Sequence, residues 1–399
     1  MKFSLEQIAN VEAVILKQVR AHPGISRIAL ARRLQIAPST VGSYTGRLIS
    51  EGFLAESEKT DFEAGRPPTA LRLNPDGGQF IGVDFEARNI MAMAVDFSDK
   101  PLKHAHSEIH KSDTVRDIVS KIERAIADVL PDNHGRLLAI GIGVPGLVDP
   151  AKGMAVYYKY IERWKEVPLA APLAKRLGVP VYLENNVRSM ALAELWFGQG
   201  RGLSDWLCLG IRSGIGVGIV ASGQLQHGAD YRAGEIGRWL CPASSLPAAR
   251  FFATGKTTAS LELQEVSSAR AILGALERAR QAKEKSLLFV RNQPLTFADV
   301  ERAAHQRDGL TVRVLEVAAE GLGWAVGQLA LILNPSRVIL AGPLTLLGDT
   351  LLQPLRERAQ QLLRASGAEA PTIVNSTMGE YSGALGAAAL AVHEWKPAR

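Results

Sequence analysis

Cysteine is nearly missing from this 399-residue chain: Cys208 and Cys241 are the only two. That excludes a disulfide framework and points to a reducing, cytoplasmic setting. No stretch approaches eighteen uninterrupted apolar residues, so no membrane span is expected. The N-terminal run MKFSLEQIANVEAVILKQ is an amphipathic helix pattern carrying acids, which excludes a signal peptide. Apolar residues at 47% and charged residues at 22% are ordinary for a globular protein, and the length allows two or three domains.

A more local absence carries more information. Residues 13–50 contain no Asp or Glu, yet hold Lys17, Arg20, Arg27, Arg32, Arg33 and Arg47. The net charge of the whole chain is only +6, so the positive field is segregated rather than general. Such a field is the footprint of a surface that meets phosphates.

The apolar spacing says how that segment folds. Ile8, Val11, Ile15 and Val19 predict a first helix that stops near His22-Pro23-Gly24. Ser26 caps a short second helix, SRIALARRL, with Ile28, Leu30, Ala31 and Leu34 facing inward. Gln35-Ile36-Ala37 is a tight turn, and Pro38 suits the first turn of a third helix ending at Gly52. Val41, Leu48 and Ile49 form its buried side. Ser39, Thr40, Ser43, Tyr44 and Arg47 are left on the other side.

Two short helices joined by a three- or four-residue turn make a helix-turn-helix, whose second helix enters the major groove. FLAES and TALRLNP then read as two strands of a wing, with Arg66 at its tip placed to reach backbone or minor groove. Arg27, Ser39, Thr40, Ser43, Tyr44, Arg47 and Arg66 are the candidate DNA contacts. The alternative for this segment is a small helical protein-interaction domain. The boundary to the next domain is expected after Asn74-Pro75, giving domains 1–75 and 76–399.

Beyond it the pattern alternates. FIGVDFEARNIMAMAVDFSD reads as a hairpin, LLAIGIGVPGLVD and VPVYLENN as strands, and DTVRDIVSKIERAIADVL as a helix between them. WLCLGIRSGIGVGIVASGQLQHG is a second, Gly-rich hairpin. The C-terminal third is helical, broken by SRVILAGPL and TIVNST. This predicts an α/β domain in two lobes with a cleft between them.

Four motifs stand in fixed order: GVPGLVDP (143–150), VYLENNVRSMALAE (181–194), SGIGVGIV (213–220) and AGEIGRW (233–239). Together they resemble the ROK family, which unites sugar kinases with sugar-responsive repressors. The resemblance spans essentially the whole chain. It implies an actin-like, hexokinase-like (ribonuclease H-like) fold whose last helices return to the first lobe, preceded in the repressors by a winged helix-turn-helix.

The departures from the family pattern bear on chemistry. The catalytic Asp of the kinases falls at Asn186, and an amide cannot act as the general base. The glycine-rich phosphate loop is replaced by Asp84-Phe85-Glu86-Ala87-Arg88, which sets a carboxylate against phosphate. Ser213-Gly214-Ile215-Gly216 keeps a second phosphate motif in part, although Gly-rich hairpins also persist for structural reasons. The adenosine-flanking glycine pair becomes Ala341-Gly342-Pro343. ATP is therefore not expected. The family zinc ligands are replaced by Arg238 and by Ala253, Gly255 and Ser260, so no metal is expected either. His104, His106 and His110 read as a solvated strand end.

Sugar-binding positions persist in part. Asn185 and Glu235 match the family pattern, as does Glu262, while Tyr160 and Arg238 stand where an Asn and the zinc-ligating His would be. With Asn186 these are the candidate ligand residues. Their alternative is a set of helix caps and salt bridges in a site without a ligand. The added arginines favour a sugar phosphate or acid sugar among sugar effectors.

The resulting expectation is a cytoplasmic repressor, homodimeric or of higher order, reading a palindromic double-stranded DNA operator and controlled by a sugar or sugar derivative bound in the interlobe cleft. An active sugar kinase and a ligand-independent DNA-binding protein are the alternatives.

Overall fold

The computed structural model describes residues 10–57, 70–130, 136–241, 247–252, 261–290, 293–364 and 366–397. These residues form two compact units, 1–184 with 387–399 and 185–386. The chain crosses between them at the end of a strand and again inside its last helix.

The first unit begins with α1 (Val11–Ala21), β1 (Ile25–Ser26), α2 (Arg27–Leu34) and α3 (Pro38–Ser50). The Ser26 hydroxyl accepts from the Ala29 N–H, so the predicted cap is formed. Gln35 turns the chain in the left-handed region at φ 55°, and Pro38 occupies the first turn of α3. Strands β2 (Leu54–Ser57) and β3 (Ala70–Leu73) pair antiparallel, and β1 adds to β3, completing a winged helix-turn-helix. The wing tip, with Arg66, lies outside the described residues.

Two side chains differ from expectation. Ile28 is 60% exposed rather than core. At 3.6 residues per turn, Leu30, Ala31 and Leu34 share one face of α2, and Ile28 lies roughly a third of a turn from that face's centre, on its solvent edge. In α3 the fully buried residues are Val41, Thr45 and Leu48, whereas Ile49 is half-buried. Thr45 sits inside because its hydroxyl is satisfied by the Val41 carbonyl at 2.8 Å.

The boundary expected at 75/76 falls inside this unit and is bridged. Strands β4 (Gln79–Phe85), β5 (Asn89–Asp96), β6 (Pro101–Glu108), β7 (Leu137–Val144) and β11 (Val181–Asn185) form a sheet ordered β11-β7-β4-β5-β6. Helix α4 (Val115–Val129) covers one face through Ile118, Ile122 and Ile126. A smaller sheet of β8 (Leu147–Asp149), β9 (Met154–Tyr157) and β10 (Lys165–Pro168) precedes α5 (Ala170–Leu177). Arg20 of α1 donates to Asp99 in the β5–β6 turn at 2.8 Å and to the Phe97 carbonyl at 2.9 Å. Phe53, Phe97 and Phe80 then pack around Trp395, with ring centroids 5.3–5.9 Å from the indole. Helix-turn-helix, sheet and C-terminus thus share one aromatic cluster.

The second unit opens with α6 (Asn186–Trp196) and a sheet of β12 (Trp206–Ile211), β13 (Ile215–Ala221), β14 (Gln224–Gln226), β17 (Arg337–Ala341) and β18 (Thr372–Asn375). The predicted Gly-rich hairpin is β12–β13, paired from Trp206↔Val220 to Ile211↔Ile215. Gly210 and Gly218 of the hairpin are packing requirements. A Cβ on Gly218 would stand 2.4 Å from the Ala191 Cβ, and one on Gly210 2.7 Å from Val187, so α6 could not lie against the sheet. Gly342, of the former adenosine motif, has φ +105° and would press the Ile211 carbonyl at 2.3 Å.

Helices α7 (Leu263–Ser267), α8 (Ala269–Gln281), α9 (Phe297–His305), α10 (Gly309–Leu333) and α11 (Asp349–Arg364) build the remaining core. Strands β15 (Leu240–Cys241) and β16 (Leu261–Glu262) form a short ribbon before α7. Among the described residues α10 is long and apolar enough to cross a membrane, which uninterrupted apolar runs do not reveal because Arg313, Glu316 and Glu320 punctuate it. Here it is a core helix, burying Val314, Leu315, Leu322 and Val326 and approaching α11 closely through Gly323 and Gly327. Helix α12 (Ser382–Glu394) begins in the second unit and ends in the first.

Candidate functional site

The first candidate surface is the outer side of α3. Its N-cap is Ala37, which offers no side-chain acceptor, so the first backbone N–H groups of the helix lack a side-chain cap. An uncapped helix N-terminus suits a phosphate oxygen, through both the N–H groups and the helix dipole. Ser39, Thr40, Ser43, Tyr44 and Arg47 share the side opposite the buried Val41–Thr45–Leu48 face, as the helical period requires. Ser39, Ser43 and Arg47 are exposed, and Thr40 and Tyr44 half-buried.

The arginines are more committed than their sequence positions suggest. Arg47 is ion-paired to the buried Glu12 of α1 and lies over the Tyr44 ring, 5.4 Å from its centroid. Arg27 donates to the Thr45 hydroxyl at 2.9 Å and pairs with Glu56 of β2. Both arginines therefore also hold the module together. Arg33 is exposed at the end of α2 and donates to Gln18 at 2.6 Å. Arg32 beside it is exposed; the sequence places it in the basic field but not among the candidate DNA contacts. The signal was the Arg-Arg pair closing α2 directly before the turn.

The second candidate site lies at the start of α6. Asn185 is the N-cap, its Oδ1 accepting from the Val187 N–H at 2.9 Å and the Arg188 N–H at 3.2 Å. Asn186 follows as the first helical residue, and both amides are buried. Arg188 is 2% exposed and donates to the carbonyls of Tyr231 at 3.0 Å and Ala233 at 3.5 Å. That stitches α6 to the loop carrying Glu235. The loop needs Gly234: at φ +88°, a Cβ there would collide with the Val217 carbonyl at 1.8 Å.

Glu235 heads the short turn Ile236–Arg238. Solvent reaches its side chain, but protein encloses most of its surroundings. That burial raises its pKa above the ordinary glutamate range, against the pull of Arg188, Arg238 and Arg232. Glu262 joins this neighbourhood through β15–β16, where Leu240 pairs with it and the Leu263 N–H donates to Trp239 at 2.8 Å. Glu262 also caps α7 in a reciprocal box with Glu265, and accepts from Gln264 at 2.6 Å. Gln264 is a further polar group here, its Oε1 3.6 Å from where a Cβ on Gly214 would stand. Sequence reading missed it because a lone Gln carries no distinguishing pattern.

The structure thus gathers Asn185, Asn186, Glu235, Arg238 and Glu262 in the second unit, while Tyr160 belongs to the first. Tyr160 packs edge-on against Tyr158 at 5.4 Å, with Lys159 over its ring. Asn185 and Glu262 act as helix caps, the alternative their residue types left open. At the segment that the resemblance aligns with the family's phosphate loop, Glu86 and Arg88 lie in the β4–β5 turn, closed by the Glu86 N–H donating to the Asn89 carbonyl at 2.9 Å. The replaced zinc positions Ala253, Gly255 and Ser260 lie outside the described residues, and Arg238 is exposed.

Comparison with known proteins places both parts of the chain in known families. The ROK family profile matches residues 80–394, and a winged helix-turn-helix DNA-binding profile matches residues 14–55. A xylose repressor from Caldicellulosiruptor bescii is 27% identical over 90% of this chain and 88% of its own length. A glucokinase from Thermotoga maritima is 30% identical over 78% of this chain and 96% of its own. The crystal structure of a ROK family transcriptional regulator, a homologue of the Escherichia coli MLC protein, shares the fold. It superposes with a TM-score of 0.78 at 23% identity, covering 96% of each chain. With its four ordered motifs inside the matched segment, the chain belongs to the ROK family and carries an N-terminal winged helix-turn-helix.

Proposed function

We propose that this protein is a DNA-binding transcriptional repressor controlled by a sugar or sugar derivative. The observation that carries the reading is the outer face of α3. An uncapped helix start and a row of hydroxyl and aromatic side chains stand on a module fused to a sugar-kinase-like domain. Short polar side chains there let the helix approach base edges closely, and Arg32 and Arg33 supply phosphate contacts. The repressor relative supports this, aligning over nine-tenths of the chain where the glucokinase aligns over 78%.

The effector is held in the second unit by Glu235 as principal hydroxyl acceptor, with Glu262 and the two amides beside it. Arg188, Arg232 and Arg238 bias the site toward an anionic sugar, a phosphate or an acid. Binding shifts the population between operator-competent and operator-incompetent conformations, which requires differential affinity for the two. Phosphotransfer is lost, since Asn186 cannot take a proton and the residue 84–88 turn presents Glu86 where phosphate would sit. No ATP and no zinc are required. The protein works in the cytoplasm as a homodimer, placing two α3 helices on successive major grooves of a palindromic site.

The test is fluorescence anisotropy on DNA upstream of its own gene at physiological salt, titrated with a panel of sugars and sugar phosphates. Absence of operator binding sinks the proposal, and binding that no member of the panel releases leaves a ligand-independent regulator. The glucokinase relative favours one second reading, an active sugar kinase. Sugar-dependent ADP release, abolished by Glu235→Gln, would establish it instead.

A further inference from the structure

The open face of the β5–β6 hairpin carries two methionines and two histidines in direct cross-strand register. Met91 pairs with His106 and Met93 with His104. Because side chains alternate along a strand, these four lie on one face, together with Asn89. The intervening Ile90, Ala92 and Ala94 point the other way, into the core under α4. Both histidines are exposed and both methionines half-buried. Two of the chain's six methionines and two of its eight histidines thus meet on one four-residue patch. On this face the inner-strand neighbours Phe80 and Val95 are buried, and only toward the edge strand, at the two histidines, does it open to solvent.

From this juxtaposition we infer that the hairpin binds a soft monovalent metal ion, of the copper(I) class, through Met91, Met93, His104 and His106. Directly opposed residues have Cβ atoms about 4.5–5.5 Å apart and diagonal ones about 7–8 Å apart. That spacing lets long thioether and imidazole side chains converge on one ion. All four ligands are neutral, and thioether sulfur selects soft cations over hard ones. Zinc prefers thiolate, imidazole or carboxylate donors; Glu108 and Asp84 border the patch, but the two thioethers at its centre favour a softer ion.

The imidazole of His106 is already oriented for the purpose. Its Nε2 lies 3.1 Å from Oδ1 of Asn89. An amide oxygen only accepts, so Nε2 carries the hydrogen and the lone pair is on Nδ1. A metal-binding histidine commonly donates its other N–H to an oxygen in this way, which fixes the tautomer and the ring plane. Asn89 stands in the same register as Glu108, next along the same two strands. The site is part of the first unit and uses none of the residues assigned to DNA or effector.

Untagged full-length protein is titrated with Ag(I), a redox-inert probe of the copper(I) class, by calorimetry, and with Cu(I) against a chromophoric chelator. One ion per chain is expected, with sulfur and nitrogen ligation in the X-ray absorption spectrum. Met91→Leu/Met93→Leu and His104→Gln/His106→Gln each abolish that binding, and Asn89→Ala weakens it by about 10–100-fold. Circular dichroism and operator affinity report that each variant is folded. Binding that survives both double substitutions, or that vanishes only in Cys208→Ser/Cys241→Ser, overturns the inference. So does equal or tighter binding of Zn(II).

Discussion

Arg47, on the outer face of the recognition helix, is ion-paired to the buried carboxylate of Glu12 on the first helix. One side chain therefore serves two tasks, and its removal has two consequences. Arg47→Ala strands a buried carboxylate, at a cost of about 1–3 kcal/mol. Urea denaturation should show that loss, and Glu12→Gln/Arg47→Ala should recover most of it while operator binding stays weak. Arg32→Ala, which breaks no internal bond in the described structure, should reduce the salt slope of operator binding by about one unit without changing stability.

Asn185 offers a way to separate capping from ligand contact. Its Oδ1 holds two N–H groups at the start of α6. Asn185→Ala should cost about 0.5–2 kcal/mol, the usual worth of an N-cap. Asn185→Asp retains the acceptor and should restore stability, since a negative charge at a helix N-terminus is favourable, but not the effector response, which needs the amide. An effector response that returns together with stability in Asn185→Asp would reassign Asn185 to capping alone.

How much of this was legible beforehand depended on the kind of signal. Ser26, Pro38 and the Gly-rich hairpin were readable because capping, N1 proline and close packing each demand a particular residue type. Thr45 was not, since a buried threonine is distinguished only by the carbonyl it finds. Glu12 fell one residue outside the acid-free window, yet it pairs with that window's last arginine. Asn185 and Glu262 were found by family pattern, but their residue types serve caps and sugars equally well, and only geometry separates the roles. The Met/His register required the strand pairing, because neither Met-x-Met nor His-x-His is informative until the two are opposed.

Glu235 should set the pH range of effector binding. Its pKa is raised by burial, so its carboxylate begins to take up a proton above the pH at which an ordinary glutamate does. The charged form is the stronger hydroxyl acceptor. Effector affinity should therefore fall as pH drops through that raised value. Glu235→Gln should abolish the response while operator affinity is unchanged, and any residual affinity should lose the pH dependence. Calorimetry between pH 8 and pH 5 checks both statements.

Asn186→Asp places a carboxylate where, on the proposed reading, the family's kinases carry their base, and the fold should accept it. The residue is the first of α6, where an acid is stabilised by the helix dipole. It should nonetheless produce no sugar-dependent ADP release. Glu86 and Arg88 still occupy the β4–β5 turn, and Gly342 is required by its positive φ and the nearby Ile211 carbonyl. Turnover appearing in the single variant would mean that base loss alone had silenced a working nucleotide site.

His393, near the end of α12, should make the first unit acid-sensitive. Its ring is 47% exposed, yet the surrounding protein, with Lys17 and Lys396 close by, depresses its pKa to about 4 from an ordinary 6.5, an effect that solvent screening reduces. A group depressed in the folded state takes up its proton preferentially in the unfolded chain. Its contribution is thus complete above pH 6.5 and is lost progressively as pH falls toward 4. Lys17 belongs to α1, and Trp395 sits two residues on, among Phe53, Phe80 and Phe97. The loss should therefore be felt where the helix-turn-helix is seated. Between pH 6.5 and 5 the urea midpoint should decline less in His393→Gln than in the parent, and operator affinity should follow it. Parallel declines in the two proteins would assign the acid sensitivity to other groups.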